Sequence, residues 1–212
     1  MRSGSDATSL TSRIGSLDSV RAALSQVTRA RPQSASAQLA DYYELLSNTL
    51  IDLYELDPAT AFDRIEGSWP RIRPLLRVQS VATEALFARG CAATASAPSQ
   101  PPAYNVARRC ARKLWGLGTG YSRMQSLQVQ ATIAAPRGDR ERAIRLLRAV
   151  IAACDELDTR GQQAAARMRL AMLDDNPVAQ AAAAEAEGAL RVQGVVSPRR
   201  FANMFTPGLV EK

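Results

Sequence analysis

The chain contains no histidine, and only two of its 27 basic residues are lysines, Lys113 and Lys212; the other 25 are arginines. Without an imidazole the usual general base near neutral pH is missing, and so are the Ser/His/Asp and Cys/His arrangements and most metal-ligand sets. Aromatic residues are scarce at 5% while hydrophobic residues reach 46%. The apolar content is therefore mostly alanine and leucine, which suits helices packed closely through small side chains. The three cysteines, Cys91, Cys110 and Cys154, stand at wide and unrelated spacings. They fit neither a disulfide framework nor a zinc site and read as small core residues on helices. No run approaches the roughly eighteen apolar residues of a bilayer span, and "MRSGSDATSL" has no apolar h-region. A soluble cytoplasmic protein with no membrane partner is expected.

What is present is a chain of 212 residues with a formal net charge of +7. That length gives one elongated domain or at most two small ones. The charge would ordinarily point to nucleic acid, but 20 acidic residues are interspersed with the basic ones, as on a solvated surface. The arginine and alanine usage is of the kind that GC-rich coding gives.

The periodicity is helical throughout. Residues 1–36 read as a flexible N-terminal segment, Ser/Thr/Gly-rich over 1–12, with one helix over about 14–30 carried by Ile14, Leu17, Val20, Leu24 and Val27. After the break "RPQSAS", residues 37–209 read as a helical-repeat domain that opens on a long helix marked by Leu39, Tyr42, Tyr43, Leu46, Leu50 and Leu53. Three places then repeat one start signal, Asp57-Pro58, Asn176-Pro177 and Ser197-Pro198. In each, a polar N-cap accepts from an orphan backbone N–H and the following proline has none to leave unpaired. Further helices are expected over about 75–96, 103–115, 121–135, 139–157 and 161–173. No segment sustains a two-residue alternation, so no sheet is expected.

Two turns match. In "PRGDRERAIRLLRAVIAACDEL" Gly138-Asp139 ends one helix and starts another, whose Ala143, Ile144, Leu147, Val150 and Ile151 form one stripe. In "LYELDPATAFDRIEGSW" Asp57 holds the turn, with Ala61, Phe62 and Ile65 on the stripe. The two aspartates lie 82 residues apart, leaving room for one more hairpin at 75–115. The expected fold is all-α: a right-handed α-solenoid of stacked antiparallel helical hairpins, tetratricopeptide-like, with units of about forty residues instead of the usual 34 or so.

From about Ala40 to Leu209 the chain resembles the C-terminal tetratricopeptide-like region of large bacterial serine/threonine protein kinases. The stretches concerned are "LLRVQSVATEALFARGCAA", "RGDRERAIRLLRAV" and, most distinctively, "LRVQGVVSPRRFANMFTPG". The resemblance implies a scaffold or sensing region attached to a kinase. The kinase itself is not in this chain, which has no H-R-D loop, no D-F-G and no strand lysine of the V-A-I-K type.

The motif candidates point the same way. "KLWGLGTGYSRM" places Gly116, Gly118 and Gly120 at alternate positions, but no strand precedes them and no G-K-[ST] follows. A turn is expected, with Gly116 left-handed and Thr119 capping the next helix; no cofactor is implied. Arg137, Arg140, Arg142, Arg145 and Arg148 form a candidate phosphate-binding face, for which the favoured reading is a solvated surface with Glu141 and Arg145 paired at i,i+4. Asp155, Glu156, Asp158, Asp174 and Asp175 show no metal-ligand convergence. In repeats of this kind the exposed positions of each first helix line a recognition groove, here Gln125, Gln128 and Thr132, with Tyr43 and Tyr54 as counterparts in the earlier repeat. These observations lead to a non-catalytic scaffold for a protein or peptide partner. The alternatives are a basic helical protein that binds nucleic acid non-specifically, and a regulatory piece of a kinase whose catalytic domain is on another chain or lost.

Overall fold

A computed structural model describes residues 17–29 and 35–207. Among the described residues there are ten α-helices and no strand, so the fold is all-α. In chain order they are α1 (Leu17–Arg29), α2 (Ala35–Tyr54), α3 (Pro58–Ile72), α4 (Gln79–Ser96), α5 (Ala103–Gly116), α6 (Gly120–Ala134), α7 (Arg140–Glu156), α8 (Arg160–Leu173), α9 (Pro177–Val192) and α10 (Pro198–Phe205). Short 3-10 turns extend α3 (Arg73–Arg77) and α6 (Ala135–Arg137). Residues 1–12, expected to be flexible, lie outside the described residues. So does the expected break after residue 30, apart from its last two residues, which already belong to α2.

Helix starts follow the capping chemistry. The Asp57 carboxylate accepts from the Thr60 N–H at 3.1 Å, Thr119 from Ser122 at 3.0 Å, Asp139 from Arg142 at 3.3 Å and Asn176 from Val178 at 2.9 Å. Ser197 makes no such bond, although α10 begins directly after it. Four helix ends share one closure, in which a left-handed residue lets the next N–H reach back to the sixth carbonyl. The left-handed residues are Leu56, Gly138, Asp158 and Gly194, and the closing bonds are Asp57 N–H to Asp52 O, Asp139 to Ala134, Thr159 to Cys154 and Val195 to Leu190, at 2.9 to 3.1 Å. The glycine-rich turn differs from expectation by two residues. Gly116 stays helical, and Gly118 is the left-handed one at φ 80°. The reason is Leu117, which packs against the main core and holds the helical conformation one residue further.

Each helix packs on the next, giving hairpins α2–α3, α4–α5, α6–α7 and α8–α9, while α4 also touches α2 and α6. One large apolar cluster runs from Tyr42 and Leu53 through Ile65 and Leu86 to Leu114 and Val129. A second joins α6, α7 and α8 around Met124, Leu147 and Val150, and a third joins α8, α9 and α10 around Ala165, Leu190 and Ala202. Small residues set the spacing: a Cβ on Gly90 would stand 3.0 Å from Val129 Cγ2 and 3.4 Å from Cys110 Cβ. The stripe expected on α7 is present, with Ala143, Leu147 and Val150 buried and Arg145 exposed. Three buried threonine hydroxyls are satisfied within their own helices, Thr49, Thr83 and Thr94 donating to the carbonyls of Leu45, Gln79 and Gly90, while Ser126 donates across to Ala111 O of α5. The three cysteines are free and buried; burial raises the pKa of each thiol, that of Cys110 to about 12.

Candidate interaction face

The last helix returns to the first hairpin. Helix α10 packs on α8, α2 and α9, and Phe205 stacks on Phe87 of α4 with ring centroids 6.5 Å apart. The elements around it therefore come from three hairpins. Phe201 lies against Gly161, where a Cβ would stand 3.2 Å from the ring edge. Cys91 Sγ donates to Phe205 O at 3.6 Å. Asn203 is the joint: its Nδ2 donates to Leu53 O at 2.8 Å, across 150 residues of chain, and its Oδ1 accepts from Arg169 Nη2 at 3.0 Å. Arg169 Nε also donates to Thr206 Oγ1 at 3.2 Å. Burial lowers the Arg169 pKa to about 10, and the hydrogen bonds it donates to Asn203 and Thr206 replace part of the hydration this guanidinium has lost.

Of the residues expected to line a recognition groove, Tyr43 is 52% exposed and tilts against the buried Tyr42, while Tyr54 is half-buried. Tyr42 is the core member of the pair, its hydroxyl donating to Val81 O and Glu84 Oε2. Gln125, Gln128 and Thr132 were expected at exposed positions and are instead 2%, 0% and 3% exposed. The reason is the place of α6, which touches α4, α5 and α7 and so has residues buried on every side. Among the described residues, neither polar atom of the Gln128 side chain has a hydrogen-bond partner. Sequence reasoning missed the groups that hold α10, namely Gly161, Arg169, Asn203 and Thr206. The available signal was the third polar-residue-plus-proline start, Ser197-Pro198, which marked a further helix beyond the four hairpins.

The α7 arginines divide into two groups. Arg145 pairs with Glu141 at 3.8 Å, as expected, and Arg140 and Arg148 pair with Asp175 and Asp174 at 2.9 and 2.7 Å. These contacts also occupy two of the carboxylates considered for metal binding. Among the described residues no group of three or more His, Cys, Asp or Glu side chains could hold a metal ion, and no helix is long and apolar enough to cross a membrane. Arg137 and Arg142 turn the other way, into a groove of about 980 Å³ shared with Arg108, Arg109 and Arg112 of α5. No family model, no curated protein and no solved structure matches this chain.

Proposed function

We propose that the chain is a non-catalytic helical-repeat scaffold, a tetratricopeptide-like α-solenoid whose inner face binds a helix supplied by a protein partner. The observation that supports this reading is the chain's own α10. It is held on the face of α2, α4 and α8 by the stacking of Phe205 on Phe87, the contact of Phe201 with Gly161, and side-chain hydrogen bonds from Arg169 and Asn203. An amphipathic helix laid in a groove is bound by the same kinds of contact. In this reading α10 is an intramolecular occupant, and Tyr43 and Tyr54 lie on the first hairpin as partner contacts. The stretch that resembles kinase-associated repeats, "LRVQGVVSPRRFANMFTPG", contains all of α10, which supports a place in kinase-linked signalling.

The test uses the full chain and a fluorescein-labelled peptide with the sequence of residues 196–207. Bound α10 competes at an effective concentration on the order of millimolar, so wild-type protein takes up little peptide. Asn203→Ala in the protein weakens the resident helix, and saturable binding of the unmodified peptide is the expected result. If the Asn203→Ala protein takes up no peptide, or takes up one carrying Asn→Ala at the same position equally well, the reading fails.

A further inference from the structure

The groove between α5, the back of α6 and the start of α7 concentrates positive charge. Arg108, Arg109 and Arg112 come from α5, Arg137 from the 3-10 turn and Arg142 from α7, against a single lining carboxylate, Asp139. Asp139 is itself engaged with the Arg142 backbone N–H as a helix cap. None of the five guanidinium groups forms an ion pair among the described residues, whereas Arg21, Arg64, Arg89, Arg140, Arg145, Arg148, Arg160 and Arg191 all do. Among the described residues the polar and ring contacts of the five side chains are weak: Arg108 meets Asn105 Oδ1 at 3.4 Å, and Arg137 lies over the Tyr104 ring at 5.5 Å. Arg108 and Arg112 stand at i,i+4 on one helix, where like charges oppose each other and destabilise the free helix.

The patch is bounded on the α7 side, where the next arginines, Arg140, Arg145 and Arg148, are occupied by Asp175, Glu141 and Asp174. A nucleic-acid strand follows a continuous basic track and stacks its bases on open aromatic faces. Here the neighbouring α7 arginines are paired, and the two rings near the groove, Trp115 and Tyr104, each already carry a guanidinium on one face, those of Arg123 and Arg137. A compact, densely charged anion fits better, because the guanidinium fork matches phosphate oxygens two at a time.

We infer that this groove is a binding site for a phosphorylated acidic segment of a partner protein, with Arg112 of α5 and Arg142 of α7 gripping phosphate from opposite walls. The site is separate from the face that holds α10, which is built on α2, α4 and α8, so it stands or falls independently of the helix-binding reading.

The probe is a fluorescein-labelled Glu/Ser peptide with its serines phosphorylated, titrated into the full chain at near-physiological salt and read by anisotropy. Saturable binding is expected, and loss of two charge-assisted contacts in Arg112→Ala/Arg142→Ala weakens it by about tenfold or more. Arg145→Ala/Arg148→Ala removes the same net charge outside the groove and leaves the affinity unchanged. Arg112→Lys keeps the charge but not the fork, and falls between wild type and the double variant. Three results would overturn the assignment: no binding, equal losses in the two double variants, or equal affinity for the unphosphorylated peptide. Tighter binding of single-stranded oligouridylate of matched charge would also overturn it and make the groove a nucleic-acid surface.

Discussion

Three arginines at the α1–α4 end of the molecule, Arg21, Arg64 and Arg89, and the five of the α5–α7 groove are the same residue in opposite surroundings. At the first end Asp52, 2% exposed, receives Arg64 Nε at 2.6 Å and Arg21 Nη2 at 2.7 Å, and Arg21 continues to Glu55 at 2.6 Å. This single carboxylate ties α1, α2 and α3 together, and the hydrogen bond to Asp52 raises the Arg21 pKa against the opposing effect of burial. Arg89 likewise makes two bonds to Glu66, joining α4 to α3. In the groove, five exposed guanidinium groups share one lining carboxylate, Asp139, and none of them forms an ion pair among the described residues. The three paired arginines tie helices together, while the groove arginines make no such tie and are available to act on something outside the chain.

This contrast fixes the order of expected effects in urea melts. The largest is Asp52→Ala, which leaves two arginines without their shared partner. Breaking a well-buried pair costs more, but both guanidinium groups keep partial access to water, so a loss of about 2 kcal/mol is expected. Arg89→Ala comes next, at about 1 kcal/mol, since it removes a two-bond pair and a cation–π contact that are only partly buried. A change below the error of the melt in both cases would show that the paired end is no more structural than the groove. The smallest effect is expected for Arg108→Ala/Arg112→Ala, which should stay within about 0.5 kcal/mol of wild type or gain slightly from relief of repulsion. A clear destabilisation there would mean that the groove arginines are packed into the fold, and the comparison would collapse.

Much of the architecture was legible because its determinants are local. Asp57, Thr119, Asp139 and Asn176 each accept from an N–H two or three residues ahead, so the sequence neighbours that make a cap are also the structural ones. The apolar stripe of α7 was readable for the same reason. The glycine turn was read two residues early because three alternate glycines are locally equivalent, and the choice fell to Leu117 and the core it packs against. The expected groove residues on α6 were misjudged in exposure because a glutamine at helical spacing carries no record of how many helices will surround it. Gln128, fully buried, sits on a helix contacted by three others.

The sequence by itself determined the helical content and the positions of most helix starts, since caps and periodicity act within one or two turns. Two features were decided only by the tertiary structure. One is the return of α10 to α2, where Asn203 meets the carbonyl of Leu53 across 150 residues. That contact depends on rotations accumulated over every intervening hairpin, and no local pattern encodes their sum. The other is the fate of each arginine. Arg148 and Arg142 belong to the same α7 face pattern in the sequence, yet one meets Asp174 while the other turns into a groove with no free carboxylate, because the partner of a long charged side chain is set by which helix lies across from it.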